Sequence, residues 1–433
     1  MNKQILRLAI PNIISNITVP LLGMVDLAIM GHLESEIYIG AIALGGMIFN
    51  FIYAFFSFLR MGTSGFTAQA YGEKNNIEII LMFGRSMLFA LVGGLLIIML
   101  QYPIDMLSFY LLDGSTEVES LAREYFYIRI YAAPASLGIM AISGWFIGMQ
   151  NSRYPMYVAI FINIINIGAS LVFVYELGMK SDGVAWGTLI AQYAGLILSF
   201  SLFQKKYKSL FSFWVRIEFF NAARLRKFFK VNTDIIIRTL CLIFTFAFFT
   251  AQSAKIDDTI LAVNTVLLQY LFVFSYLTDG FAYAAEALVG QYTGSKNLTN
   301  LKKAIKLLFM WGVIISIPFT ITYFVGGDLL LYLLTDNKDV IQAASPYLFW
   351  IGIVPVITFA AFIWDGVYIG ATASVAMRNT LLISTFAIFI PAYYLLNGPL
   401  GNHGLWLAMI LFMLSRGILL TIFAPKSIFT FSS

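Results

Sequence analysis

Charge is what this chain has least of. Of its 433 residues 11% are charged, against about 25% in a water-soluble domain, so a soluble globular fold is excluded. Cysteine is nearly absent, with Cys241 alone, which rules out a disulfide framework. Two histidines and one cysteine are too few for a structural zinc site. His32 and His403 sit near predicted loops without companion ligands. There is no H-E-x-x-H, P-loop or G-x-S-x-G pattern, so no recognisable metal, nucleotide or nucleophile chemistry is present, and no enzyme activity or cofactor is expected. What remains is apolar: 60% of the residues are hydrophobic and mean hydropathy is +0.84. This composition predicts an integral membrane protein.

Apolar stretches run over residues 8–31, 38–70, 79–102, 121–149, 154–175, 184–203, 233–253, 259–293, 304–325, 341–371, 376–396 and 405–424. They predict twelve transmembrane helices and leave no room for a large soluble domain. Lysines and arginines alternate between the two sides. The N-terminus, the even-numbered connections and the C-terminus hold Lys3, Arg7, Lys74, Arg153, eight residues between Lys205 and Lys230, Lys296, Lys302, Lys303, Lys306, Arg378 and Lys426; the other side holds Lys180, Lys255 and Lys338. The bias predicts that both termini are cytoplasmic. It also explains the net charge of +5 without nucleic acid, which is not an expected partner. Residues 204–230 form the longest polar connection and are read as a basic inner loop linking an N-terminal bundle, 1–203, to a C-terminal bundle, 231–433.

The chain matches itself at an offset of 222 residues. Gln69, Gly72, Lys74 and Asn75 fall on Gln291, Gly294, Lys296 and Asn297; Leu111 and Leu112 on Leu333 and Leu334; Tyr125 on Tyr347; Gly144 and Gly148 on Gly366 and Gly370. Pro134 meets Pro355 after a one-residue slip. Each half has an even number of spans, so the copies are parallel repeats, an arrangement found in transporters whose substrate site lies at the repeat interface. Without a nucleotide site, transport would draw on an ion gradient.

Six charges fall well within the predicted spans: Asp26, Arg60, Arg129, Asp279, Glu286 and Asp365. Each costs about 2.5–3.5 kcal/mol at the centre of a lone helix on the insertion scale, so each needs a partner, water or a task. Asp26 follows Pro20 by six residues, and the proline ring removes the backbone bond to Asn16 and favours a bend. A carboxylate beside a bendable helix is a candidate proton switch; the plainer alternative is a packing carboxyl bonded to Asn163, Asn166 or Ser170. Asp279, Tyr283 and Glu286 share one helix face. In the repeat register Ser57, Ser64 and Ser143 oppose Asp279, Glu286 and Asp365, so the halves differ in chemistry. These acids either attract cationic substrates or form a structural ion-pair network with Arg60 or Arg129. The 40 Phe and 23 Tyr offer cation–π surfaces, although most will face lipid or core.

The segments IPNIISNITVPLLGMVDLAIMGHL, TAQAYGEKN and TDGFAYAAEALVGQYTG, in this order within twelve repeated spans, resemble the multidrug and toxic compound extrusion (MATE) family, in particular its DinF-type branch. The resemblance implies an inner-membrane antiporter, two six-helix bundles around a V-shaped cleft, that exports organic cations or amphipathic drugs in exchange for protons, with sodium as the alternative ion. It places Asp26 in the coupling role with Asn163, Asn166 and Ser170 around it and Pro20 at the bend, and leaves Asp279, Tyr283, Glu286, Asp365 and Arg60 as substrate or ion contacts. A monomer embedded in lipid is expected. Ser170 stands where some relatives carry a second acid, and TFAFFTAQ lacks the helix 7 acid of other branches. The rival expectation is a flippase of lipids or lipid-linked oligosaccharides.

Overall fold

The computed structural model describes residues 1–31, 37–112 and 114–430. Among them there is no strand. Twelve segments are long and apolar enough to cross a membrane: Asn2–Asp26, Ile37–Gly72, Asn76–Met99, Thr116–Gly148, Arg153–Glu176, Ser181–Phe213, Arg216–Ile256, Asp258–Gly294, Leu298–Gly327, Lys338–Gly370, Ser374–Leu400 and Asn402–Ser427, here called spans 1 to 12. Helix suits such long apolar segments, because lipid offers no partner to a backbone N–H or C=O and a helix satisfies both within the segment.

The 222-residue repeat is visible in backbone geometry. Span 2 ends at Gly72 and span 8 at Gly294; Lys74 and Lys296 then take left-handed conformations, φ 56° and 52°. Asn75 and Asn297 follow as N-caps, accepting from the backbone N–H of Glu78 and Asn300, each at 3.0 Å. Spans 4 and 10 end the same way, at Gln150 (φ 59°) and Thr372 (φ 51°). A left-handed β-branched threonine is strained, so the turn itself imposes the conformation.

Glycine sets the helix spacing within each repeat. A Cβ built at Gly144 would lie 2.3 Å from the Arg60 carbonyl oxygen, and one at Gly366 would lie 2.1 Å from that of Ala282. Gly148 is pressed against the backbone of Ser64 and Ala68, and Gly370 against that of Glu286 and Gly290. All these pairs stand 222 residues apart, so spans 2 and 4 pack as spans 8 and 10 do.

The chain divides into two compact units, Ile14–Leu225 and Met1–Ile13 with Arg226–Ser433. The division departs from the expected boundaries at both ends. Residues 1–13 join the second unit, where Gly280 of span 8 leaves room for Ile13 and the Ala9 carbonyl, and residues 204–225 join the first. Nor is the central connection an open loop. The span 6 helix runs to Tyr207, tightens into 3-10 turns over Lys208–Phe213, and a new helix starts at Ala222.

Each unit has its own core. In Ile14–Leu225, Phe83 stacks on Phe203 with centroids 4.1 Å apart, and Trp145 lies between them and Tyr207. Its indole donates to the Ile79 carbonyl at 2.9 Å. In the other unit Phe249 meets Trp406 edge-on at 5.0 Å, and Asn264 bonds Asn402, Ser253 and Trp406. Spans 5 and 11 each contain a π-helical stretch, Val172–Glu176 and Ile383–Phe389, where the backbone bonding widens to i→i+5.

Candidate functional site

Asp26 is buried in Ile14–Leu225, and its Oδ1 has no hydrogen-bond partner among the described residues. The charge that acts on it is Arg129 of span 4. Arg129 is itself held on one side: its guanidinium donates to the Tyr125 hydroxyl one helical turn earlier and lies 4.8 Å from the Phe49 ring centre and 5.4 Å from that of Tyr125. Its Nε is buried without a partner. A Cβ built at Gly46 of span 2 would lie 4.0 Å from Nη1. The result is one carboxylate and one guanidinium among aromatic rings, with unused bonding capacity on both.

The asparagines of span 5 are placed differently from expectation. Asn163 donates to the Thr18 carbonyl at 2.8 Å, and Asn166 to the Thr188 hydroxyl at 2.9 Å. Neither bonds Asp26. Asn163 thus grips the span 1 backbone two residues before Pro20, where the proline has already removed a rung of the helix. Asn166 Oδ1 and the Ser170 hydroxyl are buried without partners, which leaves a row of unsatisfied polar atoms inside one unit.

The second unit is built on the opposite plan. Asp365 Oδ2 accepts from Arg238 of span 7 and, at 2.7 Å, from Arg416 of span 12; all three side chains are buried. Asp365 is therefore a shared anion between two arginines rather than an open cation contact, and its partners are Arg238 and Arg416 rather than the expected Arg60 or Arg129. Asp279 accepts from Ser275 at 3.3 Å and acts on Arg416 electrostatically. Glu286 is buried further along the same helix, with Tyr283 between them half-buried. Arg60 is half-buried on span 2, its carbonyl against Gly144. A third buried acid of this unit, Asp234, takes Arg378 at 2.6 Å and the Ser374 hydroxyl at 2.7 Å.

Three contributors escape a search limited to carboxylates and span centres: Tyr125, Arg238 and Arg416. Arg416 lies inside the predicted stretch 405–424, so counting every charge along each span finds it. Tyr125 stands four residues before Arg129 on the same helix face, the spacing that signals its contact. His403 accepts from the Trp350 indole at 3.0 Å and stacks near Tyr347, a packing role. His32 lies outside the described residues.

The family model described as MatE matches residues 11–172 and 235–395, two copies that coincide with the internal repeat. Among curated proteins, the DNA damage-inducible protein F of Escherichia coli (strain K12) is 37% identical over 418 residues, covering 96% of this chain and 90% of that protein. The probable multidrug resistance protein NorM of Thermotoga maritima is 22% identical, covering 98% and 92%. Among solved structures, an outward-facing conformation of a multidrug resistance MATE family transporter of the MOP superfamily superposes with a TM-score of 0.89 at 19% identity, over 99% of this chain and 97% of that one. A MATE crystal structure in the bent conformation gives 0.87, also at 19% identity, over 99% and 95%. These likenesses to solved structures establish the shared fold.

Proposed function

Since the chain belongs to the MatE family and is a multi-pass membrane protein, we propose that it is a secondary antiporter that expels amphipathic and cationic small molecules in exchange for protons, with Asp26 as the exchanging group. The observation that supports this most is that Asp26 is buried with Oδ1 unpartnered and, among the described residues, no arginine bonded to it, while Arg129, the charge that acts on it, is engaged by Tyr125. An ionised carboxylate short of hydrogen bonds and removed from water is costly, and a proton relieves that cost.

Arg129 gives the exchange its sign. With Asp26 ionised, the pair is neutral and tolerates a cationic ligand. With Asp26 protonated, the uncompensated guanidinium repels one, and at low dielectric that repulsion is strong. Proton and cation therefore exclude each other, as antiport requires. Asn163 and Pro20 would carry the change along span 1, since Asn163 holds the backbone at Thr18 just before the missing rung, with Asn166 and Ser170 as further polar contacts. Tyr283, Asp279, Glu286 and Arg60 are proposed as substrate contacts. Asp365 is not, because two arginines already neutralise it. The lysine and arginine asymmetry supports an inner-membrane location with both termini in the cytoplasm, and a monomer suffices for the scheme.

The test is dye or drug efflux in proteoliposomes under an imposed pH gradient, with the gradient reversed and with an ionophore as controls. Asp26→Asn should abolish gradient-driven movement while the protein elutes as a folded species. Undiminished, pH-dependent efflux by this variant would overturn the assignment.

A further inference from the structure

The end of span 6 and the start of span 7 are pinned where a polar connection would ordinarily wander. Arg85 of span 3, 1% exposed, donates from Nε to the Phe219 carbonyl at 3.0 Å, from Nη2 to the Glu218 carbonyl at 2.5 Å and from Nη1 to Glu78 Oε1 at 2.8 Å. Arg224 binds the other oxygen of Glu78. Trp214 lies over Gly84, where a Cβ would come within 2.3 Å of its ring, and stacks on Phe219 with centroids 5.2 Å apart. The frame is thus fixed from below by a buried arginine and a glycine-sized recess.

What this frame presents outward suits neither water nor hydrocarbon. Phe211, Trp214, Ile217 and Phe220 remain 47%, 40%, 86% and 63% exposed. In water each would lose about 25 cal/mol for every Å² of apolar surface left uncovered. Interleaved with them are the exposed Lys205, Lys206, Lys208 and Arg216, and Glu218 is the one acid between residues 204 and 225. Hydrocarbon would reject the cations. The headgroup layer takes aromatic rings at the acyl boundary and basic residues at the phosphates together, and the sign of the charge selects anionic lipids.

We propose that Lys205–Phe220 is a binding site for anionic phospholipid, in which Lys205, Lys206, Lys208 and Arg216 hold headgroup phosphates while Phe211, Trp214, Ile217 and Phe220 enter the acyl boundary on the frame set by Arg85. Free phosphate shares the headgroup chemistry but leaves the rings uncovered, so the lipid is the occupant. The site stands independently of the transport reading.

Trp214 is the built-in reporter. The full-length protein is placed in nanodiscs of phosphatidylcholine and phosphatidylglycerol in which one or the other lipid carries bromine high on the acyl chain, and the Trp214 signal is isolated by difference from Trp214→Phe. Brominated phosphatidylglycerol should quench Trp214 at least about twofold more than the same fraction of brominated phosphatidylcholine, the preference expected from several basic residues at a surface. The preference should vanish in the combined Lys205→Gln, Lys206→Gln, Lys208→Gln variant, whose changes are all on the surface and leave the fold intact by size exclusion. Added inorganic phosphate should not remove it. Equal quenching by both lipids, no quenching by either, a preference retained in the triple variant, or its loss to free phosphate would each overturn the proposal.

Discussion

Asp26 and Asp365 are both buried carboxylates in apolar helices, one in each unit, and they are held in different ways. Asp365 gives one oxygen to two arginines, Arg238 and Arg416. Oδ1 is unpartnered in both, but among the described residues no arginine is bonded to Asp26: Arg129, the charge that acts on it, donates to Tyr125 and lies over the Phe49 ring. Neutralising Asp365 would leave two buried guanidinium groups without their anion. The two repeats therefore share a backbone and differ in how the buried aspartate is held: Asp365 is bonded by two arginines and Asp26, among the described residues, by none, which is why Asp26 is the proposed exchanging group.

The largest expected effect comes from removing the shared anion. Asp365→Asn leaves Arg238 and Arg416 buried without their anion, and breaking a buried pair in this way costs about 3–5 kcal/mol. Folded yield and melting temperature in detergent should fall sharply, whereas Asp26→Asn should melt no lower than the parent chain. Equal stability of the two variants would erase the distinction. Next come the glycines that place both units on one plan. Gly144→Ala and Gly366→Ala each push a Cβ into a carbonyl, 2.3 and 2.1 Å away, and overpacking of this kind costs about 1–3 kcal/mol. Similar losses in thermal melts are expected, and a loss in one alone would show that only one interface is load-limited by its glycine. Smallest is Asn163→Ala. It removes a single 2.8 Å bond to Thr18 worth about 0.5–1.5 kcal/mol, so stability should change little while efflux slows, because span 1 loses its hold beside Pro20. Parent-like efflux rates would separate Asn163 from the coupling.

Much of this was legible in one dimension. Twelve helices follow from the length and spacing of the apolar runs, and the repeat follows from Gly72, Lys74, Asn75, Gly144 and Gly148, because turns and close helix contacts restrict residue type and so leave a trace at a fixed offset. Asp26 is conspicuous as a lone acid in an apolar span. The partners are another matter. That Arg129 serves Asp26, while Arg238 and Arg416 serve Asp365, depends on which helices pack together, and no spacing along the chain records that. The membership of residues 1–13 in the second unit is hidden for the same reason, since it rests on Ile13 fitting at Gly280. Residues 204–230 read as a loop because they are polar, yet Arg85 fixes their second half through backbone carbonyls, which carry no sequence signature.

The measurement that bears most directly on the contrast between the two aspartates is isotope-edited infrared spectroscopy of the purified, folded protein as pH falls from alkaline to mildly acid, with aspartate carboxyls labelled. A protonated carboxyl band should grow in and should be missing from Asp26→Asn. Arg129→Gln should make it appear at higher pH, because removing a nearby positive charge favours the protonated acid. A band that persists in Asp26→Asn, or one that never appears in the parent protein over this range, would contradict Asp26 as the group that takes up the proton.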